Sequence, residues 1–77
     1  MLQLPVLSGK RVIKILYDLG FVLAHKPSSN HVALRRGRFV CVIPSNHDEI
    51  ASGTLNSILR QAGVSRDEFL RAAERRR

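Results

Sequence analysis

The sequence predicts an α+β domain of two layers: a helix, a three-stranded antiparallel sheet, then two helices packed on one sheet face. Three observations carry that prediction. Apolar residues recur at helical spacing near both ends of the chain, in 9–19 and 52–62. Between them, 21–26, 31–35 and 39–43 read as strands. The strands are joined by short turns, so they form a meander rather than a crossover.

Residues 1–7 read as an irregular lead-in, with Pro5 discouraging regular structure. Ser8 is placed to cap a helix over 9–19. Val12, Ile13, Leu16 and Leu19 form its apolar stripe, and Lys10, Arg11, Lys14 and Asp18 lie mostly off it. Gly20 follows the last periodic residue and suits the position just past the helix end. "FVLAHK", 21–26, is the first strand and "PSSN", 27–30, a turn. "HVALR", 31–35, is the second strand. Gly37, between Arg36 and Arg38, takes the hairpin position that needs a positive φ. "FVCVI", 39–43, is the third strand, stopped by Pro44. After the polar loop 44–51, Ser52 caps a helix to Ala62 with Leu55, Ile58, Leu59 and Ala62 buried, and Gly63 ends it. "SRDE", 65–68, is a capping box: Ser65 accepts one orphan N–H and Glu68 reaches back to another. It opens a last helix that frays within 71–77. The whole of 1–77 reads as one domain.

Composition narrows the function. Thirteen Lys and Arg face six Asp and Glu, a formal net charge of +7. Such an excess on so small a body attracts polyanions, nucleic acid first, an acidic protein or an anionic membrane after it. Cys41 is the single cysteine, which excludes an intrachain disulfide and a cysteine-rich zinc site. Within "FVCVI" it reads as a buried apolar residue. The three histidines have no ligand spacing, so no metal or other cofactor is expected. "MLQLPVLSGK" does not have the pattern of a signal peptide, and no stretch is apolar enough to span a membrane. The cytoplasm is the expected location.

Strand parity singles out one histidine. Val32 and Leu34 are the core pair of the second strand, which leaves His31, Ala33 and Arg35 on the opposite, open face. An imidazole exchanges a proton near neutral pH, and the 2′-hydroxyl of RNA is a substrate that needs this. Lys26, Arg35 and Arg38 are cationic candidates near it, and Ser29 is a candidate donor from the turn. Lys10, Arg11 and Lys14 form a basic helix face, fit either for RNA or for solvent. His25 is structural or RNA-facing at most. The "RRR" at 75–77 adds non-specific phosphate affinity or nothing. Taken alone, a histidine at a strand edge is more often an ordinary surface residue.

Three stretches resemble the HicA family of toxin endoribonucleases. "SGKRVIKILYDLGF", 8–21, is similar to that family's opening helix and Gly-Phe exit. "SNHVALRRGRFVCVIP", 29–44, resembles its Gly-Ser-(Asn/His)-His turn, hairpin and closing proline. "SGTLNSILRQAGVSRDEFL", 52–70, is the most specific, with "GTL", "ILRQAG" and a Ser-capped helix in order. The resemblance implies a fold like a double-stranded-RNA-binding domain, cleavage of mRNA, and neutralisation by a HicB-like antitoxin. It also implies that His31 is the essential histidine. Three positions depart from the pattern: Ser28 stands for the usual Gly, Ser52 for a frequent Lys, and Asn56 for a common basic residue. His47 lies three residues past Pro44, near a histidine that many relatives carry sooner after the proline.

Two other function classes fit the same residues. One is a catalytically silent RNA-binding module, the other a basic subunit that docks an acidic protein. Cleavage of RNA in EDTA separates the first reading from both.

Overall fold

The computed structural model describes residues 4–76. The elements are α1 (Gly9–Asp18), β1 (Val22–Ser28), β2 (His31–Arg36), β3 (Phe39–Pro44), α2 (Ser52–Ala62) and α3 (Arg66–Arg75). The strands form one antiparallel sheet in the order β1-β2-β3. This is the α+β architecture that the sequence predicts. Its core joins Val12, Ile15 and Leu16 of α1, Leu34, Cys41 and Ile43 of the sheet, Leu55 and Leu59 of α2, and Phe69 of α3.

α1 starts where Ser8 Oγ accepts the Arg11 N–H at 3.1 Å. Its buried face is Gly9, Val12, Ile15 and Leu16. Ile13 and Leu19, expected on that face, are only partly buried. Ile15 displaces them because it sits i+3 from Val12, whereas Ile13 is rotated by about 100°. Two crossed hydrogen bonds close the helix: Gly20 N–H to the Tyr17 carbonyl and Phe21 N–H to that of Leu16, both at 3.0 Å. The motif needs a left-handed residue, and Gly20 supplies it with φ 94°. Phe21 is thereby buried at the helix exit instead of opening β1.

β1 extends to Ser28, past the expected turn at Pro27. It is an edge strand with register shifts between Leu23 and His25 and between His25 and Ser28. A proline without an N–H is tolerated at such an irregular edge. The turn shrinks to Ser29 and Asn30, with Ser28 opposite His31. Gly37 has the expected positive φ, 62°. In β2 the predicted parity holds for Val32 and Leu34, which are buried. Ala33 is buried too, although it has the opposite parity. It is the small residue of the central strand, set between His25 and Val42.

At the C-terminal end, Ala51 rather than Ser52 is the N-cap of α2, and no side chain caps it. The stripe Leu55, Ile58, Leu59 and Ala62 is buried as expected. Ser65 Oγ does accept the Glu68 N–H, at 3.0 Å. The Glu68 carboxylate, however, serves Arg36 rather than the cap, at 3.1 Å. Arg36 also donates to the Leu19 carbonyl at 2.9 Å and lies over the Phe21 ring. It ties the hairpin to both α1 and α3. α3 continues to Arg75, within the stretch where fraying was expected, and Arg76 pairs with Asp18 of α1. Residues 1–3 of the lead-in and Arg77 of the terminal arginines lie outside the described residues.

Candidate nucleic-acid interface

His31 opens β2 beside the two-residue turn, and its imidazole is exposed. Its Nδ1 lies 2.9 Å from Ser28 Oγ. The same oxygen accepts the Asn30 N–H at 3.2 Å. A serine oxygen has two lone pairs, so it can take both that N–H and an Nδ1–H. In that tautomer the ring is fixed at Nδ1 and Nε2 keeps its lone pair for an incoming proton. With a second proton the ring still donates from Nδ1. One serine therefore orients both charge states. Ser28 was legible only as a departure from the family's glycine. The signal for its role is the Ser-x-x-His spacing across a tight turn.

The backbone around His31 is pinned. Pro44 is its cross-strand neighbour, and the Ser45 N–H donates to the Asn30 carbonyl at 2.9 Å. The Gly9 N–H donates to the His47 carbonyl at 2.9 Å. Gly9 has to be glycine: a β-carbon there would lie 2.0 Å from the Pro44 carbonyl oxygen. The start of α1, the β1–β2 turn and the loop after β3 thus meet at one end of the sheet.

These three segments enclose an open groove of about 630 Å³ lined by residues that include Lys10, Lys26, Ser29, Asn46 and His47. The structure therefore brings together Lys10, Lys26 and Ser29 of the expected RNA-binding residues. Arg11 and Lys14 are exposed on α1 outside the groove lining. Arg35 is exposed on the open sheet face, between Val22 and Val40 in register. Arg38 lies in the hairpin at the opposite end of β2 from His31, with its guanidinium over the Phe39 ring. Five strand steps separate His31 from Arg36, about 17 Å, so one reacting phosphate cannot meet both His31 and Arg38. His25 pairs with Ala33 and is exposed.

The charge is distributed unevenly. Asp18, Asp67 and Glu68 each pair with an arginine, at α1's end and on α3. Among the described residues neither Lys10 nor Lys26 has an ion-pair partner. Asp48 is the one carboxylate in the groove lining. No group of three His, Cys, Asp or Glu is arranged to hold a metal among the described residues. Cys41 is fully buried, and desolvation pushes its thiol up to about 11.

A family model described as the HicA toxin of bacterial toxin–antitoxin systems matches residues 9–64. The chain belongs to the HicA family. The match runs from the first residue of α1 through the hairpin and α2, so it contains His31, Ser28 and every groove-lining residue except Ser8, and leaves α3 outside. As a HicA-family chain, this protein is the toxin of a toxin–antitoxin pair, and its partner is an antitoxin. No curated protein matches it. Among the described residues no helix is long and apolar enough to cross a membrane.

Proposed function

We propose that this HicA-family toxin is a metal-independent endoribonuclease that cleaves mRNA in the cytoplasm, with His31 as its general base. The observation that carries the reading is the Ser28–His31 contact at 2.9 Å, which holds an exposed imidazole at the β1–β2 turn; Ser29 of that turn and Val32 next to His31 line the groove, and His31 itself does not. His31 takes the proton of a 2′-hydroxyl. The oxygen attacks the adjacent phosphorus, the bond to the 5′-oxygen breaks, and the products are a 2′,3′-cyclic phosphate and a 5′-hydroxyl. The nucleophile belongs to the substrate, so the step needs no metal-bound water. A positioned imidazole supplies roughly 10²–10⁴-fold, enough for a toxin that inactivates a message with one cut.

A HicB-like antitoxin neutralises the toxin by covering this region. The open sheet face supports that. Val22, Val40 and Val42 are 53%, 45% and 40% exposed, and Arg35 and His25 lie among them. Apolar surface with cationic neighbours fits an acidic, partly apolar partner steered in by charge. Such an interface buries ~800 Å² on each partner.

The test is to incubate the purified protein with RNA in EDTA and analyse the new ends. Cyclic phosphate ends support the reading. Binding without cleavage selects a silent RNA-binding module. Failure to bind RNA at low salt, with tight binding to an acidic protein, selects an interaction subunit.

A further inference from the structure

We infer that His25 is the second proton-transfer group of this reaction, the acid that protonates the departing 5′-oxygen. The inference rests on the reading of His31 as base and supplies the other half of the step.

Cleavage moves two protons, one off the 2′-hydroxyl and one onto the 5′-oxygen, and His31 accounts for the first. The second group must be protonated before the step and release its proton during it. It must also stand on the sheet face that carries His31. Lysine and arginine hold their protons too tightly to serve well near neutral pH, whereas an imidazole changes charge there. The three strands contain no Asp or Glu, and His25 is their other histidine.

The irregular register of β1 puts His25 on that face. Val22 pairs with Arg35 and Leu23 with Leu34, so strict alternation would set Ala24 opposite Ala33 and turn His25 toward the helices. One extra residue between Leu23 and His25 makes His25 the partner of Ala33 instead. Directly opposed residues share a face, and Ala33 has the parity of His31. A second extra residue, between His25 and Ser28, brings Ser28 rather than Pro27 opposite His31. Each irregularity of this edge strand thus re-aims one polar side chain to the face of His31. Lys26 lines the groove with Val32, which has the opposite parity.

As the partner of Ala33, His25 is the diagonal neighbour of His31. Diagonal neighbours in a sheet lie about 7–8 Å apart, within reach of long side chains. The attacking and leaving oxygens stand on opposite sides of phosphorus. Base and acid must therefore be separated by two hydrogen bonds of about 3 Å each and the phosphorane between them. A diagonal pair of imidazoles leaves that room. Both rings are exposed, and Ala33 beside them ends at its β-carbon and is fully buried, so nothing bulky stands between them. The other groups on this face are few. Arg35 of β2 is its cation, β3 contributes Val42 and Pro44, and β1 contributes Val22 and Ser28. An anionic phosphate meets no like charge from them.

The step balances without a co-reactant. The 2′-oxygen gives its proton to His31 and forms a bond to phosphorus. The phosphorus–5′-oxygen bond breaks, and that oxygen takes the proton of the His25 imidazolium. His31 ends charged and His25 neutral, and exchange with water resets both.

Two measurements test this. The first asks whether one phosphate meets both rings. Titration with a nucleoside 3′-monophosphate is expected to shift the imidazole NMR resonances of His25 and His31 together; movement of His31 without His25 overturns the shared site. The second uses a leaving group that needs no acid. In RNA with a sulfur at the bridging 5′ position, the thiolate departs unprotonated. His25→Gln is expected to slow cleavage of ordinary RNA by ~100-fold or more and to stay within a few-fold of the unaltered protein on the thio substrate. His31→Ala is expected to be slow on both. Thermal melting of His25→Gln is expected to match the unaltered protein. An undiminished rate on ordinary RNA, or an equal loss on both substrates, overturns the role of His25 alone. Failure of the unaltered protein to cut either substrate overturns the endoribonuclease reading and this inference with it.

Discussion

At the scale of single residues, the proposed site turns on a histidine whose Nδ1 lies 2.9 Å from Ser28 Oγ. If Ser28 holds His31 through Nδ1, Ser28→Ala removes one hydrogen bond, worth about 1 kcal/mol, and is expected to lower the cleavage rate roughly 5–10-fold. RNA affinity is expected to stay unchanged, since Ser28 orients the base and need not touch phosphate. A loss of affinity with the rate per bound complex preserved would contradict that role. The exposure of His31 at the start of β2 was legible from strand parity, and its assignment as the base came from the resemblance to HicA toxins. The role of Ser28 was not legible, because it depends on a turn shorter than Pro27 suggested. A second residue-scale expectation concerns Cys41. Its thiol is raised to about 11 in the folded protein, from an ordinary value of 9.0. Between those values the unfolded chain has lost the proton while the folded chain keeps it. The stability linked to this group is therefore complete below pH ~9 and falls as pH rises toward ~11, by up to about 2–3 kcal/mol. Denaturant midpoints for the protein and for Cys41→Ala, compared across that window, are expected to converge as pH rises. Curves that stay parallel would contradict the burial effect.

At the scale of elements, the site is a junction of α1, the β1–β2 turn and the loop after β3. Gly9 is the contact that lets α1 approach that loop. A methyl group there would overlap the Pro44 carbonyl. Gly9→Ala is therefore expected to cost about 1–3 kcal/mol and to lower cleavage by displacing the loop. Urea denaturation and cleavage rates check both, and an unchanged midpoint with full activity would contradict the close approach. The order of elements was readable because helical and strand periodicities alternate cleanly and Gly20, Gly37 and Gly63 punctuate them. The Gly9 constraint was hidden, since it arises between segments 35 residues apart in sequence. The same holds for Arg36, which the sequence placed in a turn and the fold uses as a tie between hairpin, α1 and α3. Glu68 left the expected capping box because that guanidinium was within reach, and a charge-assisted hydrogen bond is stronger than a neutral one.

At the scale of the whole molecule, a net charge of +7 sits on a body whose carboxylates partly neutralise the α3 side. If RNA enters by the groove, Lys10 and Lys26 are the cations that meet it there, beside Asp48. RNA affinity is expected to fall steeply with salt, and Lys10→Ala or Lys26→Ala to reduce the slope by about one unit each. With a short oligonucleotide, Arg38→Ala is expected to leave it unchanged, because Arg38 lies at the far end of the sheet from the groove. An unchanged slope for Lys10→Ala and Lys26→Ala would move the RNA elsewhere. The excess of positive charge was legible from composition, but its distribution was not, because charge counts carry no direction until the fold sorts which arginines are paired. The cleavage proposal turns on His31 taking the proton of the 2′-hydroxyl. Its most direct test is the single-turnover rate of His31→Ala on bound RNA in EDTA, measured beside its RNA affinity. The expected result is a rate lower by at least ~100-fold with affinity within about twofold; cleavage by His31→Ala at the rate of the unaltered protein would contradict a role for His31 as base.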